Sequence, residues 1–245
     1  SVSIIRDNSK CILCRRCVAA CNKQQGIGAI GVANRGFDSK IECAFEKPLA
    51  ETSCINCGQC IVACPVGALY ERDDTQKIFD AISDPTKHVA ICCAPSVRAT
   101  IGECFGLEPG TDVEGKMVAA LKKLGFDGVY DMNFTADLTI MEEATEFLGR
   151  VKNGGWVKYC EHYFPEMTEN LSTCKSPQQM FGAMYKTYFA EKLGLNPEDI
   201  VFVSAIPCTA KKFEVGRDGQ DVNGMPGVDI AVTTRELGRM IEMAG

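Results

Sequence analysis

From residue 88 onward, short apolar runs alternate with longer segments in which apolar residues recur at helical spacing. The runs are too short for helices and too apolar for loops, so they predict buried strands. The predicted strands are 88–94, 127–131, 199–207 and 228–233, and the predicted helices are 113–124, 136–151 and 176–194, with a last helix opening at 233. This alternation predicts an α/β domain.

The ends of these helices carry recognisable signals. Gly125 and Gly194 follow predicted helices, where glycine commonly ends a helix in the left-handed conformation. Pro177 falls in a first turn, where a missing amide hydrogen costs nothing. Thr233 and Glu236 have the spacing of a capping box, so they predict the start of the last helix.

The first part of the chain lacks this alternation and contains an internal repeat of cysteines instead. "CILCRRCVAAC" at 11–21 returns as "CINCGQCIVAC" at 54–64 with the same CxxCxxCxxxC spacing, shifted by 43 positions. The stretch between the copies is rich in glycine and predicts short strands and turns. Around "AISDPTKH" the regular cysteine spacing stops and the alternating pattern begins. We therefore expect a cluster-binding domain at 1–84 and an α/β domain at 85–245.

Fifteen cysteines are far more than a chain of 245 residues ordinarily carries. In a reducing compartment they would stay thiols, and metal binding is then their best use. Three cysteines at two-residue gaps wrap one [4Fe-4S] cube, while the fourth serves the other cube in two-cluster ferredoxins. By this pattern one cluster takes Cys11, Cys14, Cys17 and Cys64, and the second takes Cys54, Cys57, Cys60 and Cys21.

A pair of zinc sites is the alternative, although zinc motifs usually lack the third cysteine and rarely duplicate it. Cys43 lies outside both copies and is interpreted as a spare buried thiol. Two cubes in one small domain would pass electrons rapidly between them. The first domain is therefore interpreted as an electron conduit of α+β, ferredoxin-like fold.

Charge and hydropathy exclude other classes of function. The net charge of −6 and pI near 5.1 argue against nucleic acid as a partner, because phosphate binding needs clustered Lys and Arg. No apolar run approaches the roughly 18 residues of a membrane span, and the first residues lack a secretory pattern. We expect a soluble, cytoplasmic protein.

Five long segments of the second domain are distinctive: "APSVRATIGE" (94–103), "DMNFTADLTIMEEATEFL" (131–148), "LSTCKSPQQMFG" (171–182), "IPCTAKKFE" (206–214) and "VTTRELGRMI" (232–241). They resemble segments of the [FeFe]-hydrogenases. With the paired cysteine motifs, the resemblance covers essentially the whole chain. It implies an iron-only hydrogenase domain whose active site is the H-cluster, a [4Fe-4S] cube joined to a two-iron unit with CO, cyanide and a dithiolate amine.

The resemblance also implies roles for residues near Cys208. Taken alone, Cys208 would be a buried thiol capped by a solvated lysine pair. The family pattern instead makes it a ligand of the H-cluster cube and lets Lys211 donate a charge-assisted hydrogen bond to cyanide. Ser96, after Pro95, would lie close to the bridging ligand, and Pro207 would shape the pocket wall.

Helical spacing places Glu143, Glu146 and Arg150 on one face of the predicted helix 136–151. Spacing alone favours a solvated face with one ion pair. The resemblance implies instead a proton path that also uses Ser172, since carboxylates can both accept and donate protons. A second face is expected to carry Leu138, Met141, Thr145 and Leu148.

The sequence also departs from the family pattern. A TSCCPG segment is missing before Trp156, and so is the C-terminal portion that carries the remaining cube ligands. Cys208 is the one expected H-cluster ligand present. Two explanations stay open: a natural deletion, or a sequence that leaves out the cluster-binding loop and the C-terminal part. Cys92 and Cys93, in a predicted buried strand, are interpreted as core thiols.

Together these patterns predict a hydrogenase that interconverts protons and molecular hydrogen, with electrons passing through the two clusters to the H-cluster. We expect it to work as a subunit of a larger complex, with ferredoxin or with formate- or nicotinamide-linked subunits as redox partners. The alternative is a non-catalytic electron-transfer or cluster-assembly protein of the hydrogenase-like family. Lys211 and the proton-path residues favour the enzyme.

Overall fold

The computed structural model describes residues 3–147 and 157–245, which form two compact units. The strands are β1 (Ile4–Arg6), β2 (Gly31–Ala33), β3 (Lys40–Glu42), β4 (Leu69–Glu71), β5 (His88–Cys93), β6 (Gly128–Asp131), β7 (Ile200–Ala205), β8 (Asp221–Val222), β9 (Met225–Pro226) and β10 (Ile230–Val232). The α-helices are α1 (Arg16–Ala19), α2 (Gln59–Val62), α3 (Thr75–Ser83), α4 (Pro95–Thr100), α5 (Glu114–Leu124), α6 (Asn133–Phe147), α7 (Val157–Tyr163), α8 (Pro177–Met184), α9 (Ala190–Leu193), α10 (Ala210–Val215) and α11 (Thr234–Met243).

Unit 1 comprises Ser1–Arg72, Glu161–Tyr163 and Cys208–Phe213. Its strands are three residues long and pair antiparallel, β1 with β4 and β2 with β3. The short strands confirm the prediction for the stretch between the cysteine motifs. Elements this short bury little apolar surface, so the unit needs another source of stability.

Unit 2 comprises Asp73–Cys160, Phe164–Pro207 and Glu214–Gly245. Its core is a parallel sheet of four strands in the order β10-β7-β5-β6. From Val89 to Cys93 every residue of β5 is buried, as expected for a strand covered on both faces. The four strands fall within the four predicted ranges, which confirms the α/β character of this unit.

The predicted helix ends are also confirmed. Gly125 caps α5 at φ +109, and Gly194 caps α9 at φ +67. The Thr233 hydroxyl accepts a hydrogen bond from the amide of Glu236, whose carboxylate accepts one from the amide of Thr233 at 2.8 Å. The other oxygen of Glu236 accepts from the amide of Asp74 at 3.0 Å, so one carboxylate caps α11 and joins it to the start of α3.

Helix α6 differs from its prediction in its start and its inner face. It begins at Asn133 because the Asp131 side chain accepts the Asn133 amide hydrogen bond at 2.9 Å. Met141, which the spacing placed on a second face with Leu138, is 67% exposed, while Thr135 and Thr139 are buried. The inner face of α6 is therefore lined by hydroxyls, and an apolar side chain points outward.

Among the described residues, six helices were not anticipated: α1, α2, α3, α4, α7 and α10. Helix α3 belongs to unit 2, which begins at Asp73, whereas the sequence suggested a boundary between residues 84 and 85. That domain boundary remains our proposal from composition. Among the residues described, no helix combines the length and apolar character needed to cross a membrane.

Candidate iron–sulfur sites

The first predicted cysteine set surrounds one cavity in unit 1. Cys11, Cys14, Cys17 and Cys64 all line it, so the fourth cysteine of the second motif joins three from the first. Burial raises the pKa of the Cys17 thiol, and the nearby charges of Cys11, Cys14 and Cys64 raise it further. Thiols that disfavour one another's ionisation need a cation to hold them together as thiolates.

The second set is grouped in the same way around Cys60. Burial raises the pKa of the Cys60 thiol to about 12, and the charges next in importance are those of Cys54, Cys57 and Cys21. Cys21 comes from the first motif, so the fourth cysteine is exchanged in this direction as well. Cys17, of the first set, also contributes to the pKa of Cys60. The first set therefore lines one cavity, whereas the division of the remaining cysteines into a second set stays a prediction.

The two loops share one backbone conformation. Leu13 and Asn56, at matching positions of the repeat, both have φ +56, and Arg15 and Gly58 have φ +62 and +76. These left-handed residues turn the chain back so that successive cysteines point inward. Both copies then enter a short helix, α1 or α2.

Cys64 lies in a nest of main-chain amides. Burial would raise its pKa, but hydrogen bonds from the amides of Val66, Leu69, Ala68 and Gly67 lower it below the usual thiol value. Amides aimed at a sulfur stabilise the thiolate, which is the form that binds metal. This environment fits a ligand of an anionic cluster.

The eight cysteines of the two motifs match in number the ligands of two iron–sulfur cubes. Within the ranges 3–147 and 157–245, no three His, Cys, Asp or Glu side chains are grouped as one metal ion requires. A cube takes one thiolate at each of four iron corners, so its ligands do not need to converge on one point. The two sets of four supply that number of ligands for each cube.

The Cys208 segment is grouped with unit 1 although it follows β7 of unit 2. The Cys208 thiol is exposed, and its carbonyl accepts a hydrogen bond from the amide of Lys211 at 3.1 Å. This turn opens α10 and sets Lys211 three residues beyond the thiol. Pro207, just before, is exposed. An exposed thiol at the end of a strand suits one ligand of an iron–sulfur centre.

The other implied H-cluster ligands have no counterparts at matching positions of this sequence. The chain therefore does not fit the whole H-cluster by itself, and its residues support no step at a two-iron unit. Pro95 and Ser96 open α4 directly after β5 and are exposed. They lie at the carboxyl end of a parallel strand, where ligands of α/β proteins usually bind.

Arg98 was not singled out from the sequence. Its guanidinium lies 2.8 Å from the Asp131 carboxylate and 3.7 Å from that of Glu114. These residues share a cavity with Pro95 and with Cys93, whose pKa burial raises to about 12. Burial raises the pKa of Cys92 too, so both thiols stay protonated, in keeping with their interpretation as core thiols.

The predicted proton-path residues are only partly described. Glu143 is half-buried on α6, where it follows Thr135 and Thr139 at four-residue spacing along the inner face. Ser172 is half-buried, and its hydroxyl accepts from the amide of Cys174 at 3.2 Å. The side chain of Glu146 and the whole of Arg150 lie outside the described residues. The path remains a prediction.

Two family models match the chain. The iron only hydrogenase large subunit, C-terminal domain, matches residues 87–245, and the ferredoxin-like domain of NADH-quinone oxidoreductase subunit 3 matches residues 2–70. The chain is 50% identical to the NADP-reducing hydrogenase subunit HndD of Solidesulfovibrio fructosivorans, over 99% of this chain and 44% of that protein. It is 45% identical to iron hydrogenase 1 of Clostridium pasteurianum, over 100% of this chain and 44% of that protein.

A more distant relative belongs to another functional class. Cytosolic iron-sulfur assembly component 3 of Bos taurus is 27% identical, over 87% of this chain and 49% of that protein. Among solved structures, that of HydA(deltaEFG), reported for stepwise [FeFe]-hydrogenase H-cluster assembly, matches with a TM-score of 0.65 and 40% identity, over 69% of this chain and 46% of that one. The chain thus spans less than half the length of these relatives.

Proposed function

Since the chain belongs to the iron-only hydrogenase family, we propose that it serves the reversible conversion of protons and electrons to molecular hydrogen. Its part in the reaction is to carry electrons and to supply one wall of the H-cluster site. The observation that carries this proposal is the first set of four cysteines around one cavity, with Cys208 in the same unit.

The two [4Fe-4S] clusters, when bound, would each accept and release one electron at a time. The chain's own residues hold and tune them: four thiolates bind each cube, and the amides around Cys64 stabilise its negative charge. Around the H-cluster, Cys208 would supply one thiolate and Lys211 a cationic donor, with Pro95, Ser96 and Pro207 forming part of the wall. Glu143, Glu146, Ser172 and Arg150 would move protons.

We infer the redox partners from the similarity to known hydrogenases. HndD, at 50% identity, is named as a subunit of an NADP-reducing hydrogenase, so nicotinamide-linked subunits are our first choice of redox partner. Ferredoxin and formate-linked subunits are the others. We place the protein in the cytoplasm, where its fifteen cysteines would stay reduced.

The test is to produce the full-length protein together with the enzymes that mature the H-cluster. The expected result is two reduced [4Fe-4S] signals by electron paramagnetic resonance, iron beyond that of two cubes, and hydrogen production that CO inhibits. Lys211→Ala should lose the two-iron unit, seen as lost CO and cyanide infrared bands. Lys123→Ala, an exposed lysine on α5, is the matched control and should keep them.

A cluster-assembly or electron-transfer protein without catalysis is the second candidate, favoured by the similarity to cytosolic iron-sulfur assembly component 3. Mature full-length protein that holds two cubes but has neither the infrared bands nor hydrogen production would establish it. Zinc in place of iron would refute both candidates.

A further inference from the structure

Arg6 places a positive charge on the wall of the cavity that the first cysteine set lines. Of the described residues around this cavity, two are charged, Arg6 and Arg15, and both are cations. Arg15 is exposed, whereas the side chain of Arg6 is only 19% exposed. Because water and salt screen a buried charge less than an exposed one, Arg6 contributes more to the positive potential inside the cavity.

The register of β1 and β4 fixes the position of Arg6. On β1 it pairs with Leu69 of β4, and the amide of Leu69 donates a hydrogen bond to the Cys64 sulfur. Successive side chains of a strand alternate between its faces, so Arg6 shares a face with Ile4, which is 1% exposed. The guanidinium group therefore extends from the inner face of β1, beside the segment that supplies one cysteine of the first set.

Glu42 and Cys43, at the end of β3, hold the guanidinium group in place. Its Nη2 lies 3.3 Å from the Glu42 carboxylate, and its Nη1 donates to the Cys43 sulfur at 3.9 Å. Cys43 is 2% exposed, so the thiol that lies outside both motifs serves as a buried anchor for this cation. Among the described residues, Glu42 does not line the cavity, so the ion pair presents its positive end there.

We propose that Arg6 sets the reduction potential of the iron–sulfur cube bound by the first cysteine set. The proposal deepens the proposed function and rests on it, because it takes this set as the ligands of a cube. On reduction the cube gains one electron and no bond changes, so it becomes more negative by one charge. A nearby cation stabilises the reduced form more than the oxidised form and raises the potential. Arg6 thereby makes this cube easier for a partner protein to reduce.

The test is a redox titration of the mature full-length protein with dithionite, followed by paramagnetic resonance. Arg6→Gln removes the charge, and Glu42 still has Lys40 as a partner at 2.7 Å. The equilibrium constant for reduction of the first cube should fall about tenfold, which is about 59 mV for one electron. Arg6→Lys keeps the charge and should restore most of the potential. Cys14→Ala, which alters the first cube, identifies its signal.

Glu42→Gln separates an electrostatic role of Arg6 from a structural one. It removes the negative partner and leaves the cation, so the potential of the first cube should rise, opposite to the shift in Arg6→Gln. Disturbed packing would not give shifts of opposite sign. Arg35→Gln is the matched control, since Arg35 is an exposed arginine of the same unit. It should leave the potential unchanged.

The outcomes separate this proposal from the proposed function. An unchanged first-cube potential in Arg6→Gln, with both cube signals present, would overturn the role of Arg6 and leave the hydrogenase proposal intact. An equal fall in Arg35→Gln would do the same. If Arg6→Gln does not retain the first cube, Glu42→Gln decides, because a potential that does not rise overturns the role. A wild-type protein without two cube signals would overturn the proposed function instead.

Discussion

The two copies of the cysteine motif have the same spacing and the same backbone but different surroundings. In the first copy the turn is exposed and basic: Arg15 and Arg16 face solvent, and Ile12 is 61% exposed. In the second copy the corresponding turn is buried, with Asn56 4% exposed and Gly58 under Thr209. Two loops of one design thus meet different neighbours, one the solvent and the other the Cys208 segment.

Under the proposed function, this difference would give electron transfer through the unit a direction. The exposed copy is accessible to a partner, while the buried copy adjoins the segment that would ligate the next centre. Residues 1–72 contain nine Lys or Arg against six Asp or Glu, a formal charge of +3 in a chain of −6 overall. The whole-chain charge used to judge partners hides this local excess. An acidic electron-carrier protein is the partner that it fits.

The largest expected effect comes from breaking the exchange of ligands between copies. Cys64 belongs to the second motif, but Cys64→Ala should remove the first cluster. Cys21 belongs to the first motif, but Cys21→Ala should remove the second cluster. Each variant should lose or alter one of the two cubes, with up to half of their iron lost, because one iron corner no longer has its thiolate. Iron analysis and paramagnetic resonance measure the outcome.

Cys14→Ala and Cys57→Ala supply the reference spectra for losing the first and the second cluster. The Cys64→Ala spectrum should match that of Cys14→Ala. If it matched Cys57→Ala instead, each motif would bind its own cube and the exchange would be wrong.

A swap of the matched turn residues should have the next largest effect. Gly58→Arg forces a side chain into a left-handed turn and against Thr209, so we expect a loss of about 2 to 5 kcal/mol in the free energy of unfolding. The reciprocal Arg15→Gly, in an exposed turn, should change stability by less than about 1 kcal/mol. Denaturant unfolding of the cluster-loaded protein measures both. Equal losses would mean that the two turns have equivalent surroundings.

Reversing charge at the exposed copy should have a moderate, salt-dependent effect. The double variant Arg15→Glu, Arg16→Glu should slow reduction by an acidic ferredoxin about tenfold at low ionic strength, through a lower association rate. The difference should shrink as salt screens the charges. Stopped-flow reduction at several ionic strengths measures this, with Lys123→Glu on α5 as the control. A salt-independent loss would argue against an electrostatic docking surface.

The smallest effect concerns the other left-handed pair. Leu13→Gly removes an apolar residue from an unfavourable conformation and should stabilise the protein by at most about 1 kcal/mol. Asn56→Gly should destabilise slightly, because Asn tolerates this conformation and its side-chain oxygen lies 4.0 Å from the Cys54 sulfur. Thermal unfolding of the loaded proteins distinguishes the signs. A stabilising Asn56→Gly would contradict the comparison.

Local patterns predicted much of this molecule. The strands β5, β7 and β10 were visible as apolar runs because most of their residues are buried, whereas the edge strand β6 is mostly half-buried. The cysteine sets were predicted from spacing, since loop geometry at two-residue gaps is local. Capping at Thr233 and Glu236 was predictable for the same reason.

Non-local contacts and polar burial explain what sequence reasoning missed. Sequence reasoning did not single out Thr135 and Thr139, which are buried on α6 because their hydroxyls donate to carbonyls of their own helix turn. Thr209 was not singled out from the sequence, because its hydrogen-bond partner Asn56 is far away along the chain. The one available signal was the unequal pair Arg15 and Gly58 within an otherwise regular repeat.

The carboxylate of Glu236 has a consequence for how unit 2 opens. It accepts hydrogen bonds from the amides of both Asp74 and Thr233, so the starts of α3 and α11 depend on the same carboxylate. Neither helix end can fray without releasing the other, so two stretches 162 residues apart in the chain exchange their amide hydrogens as one cooperative event.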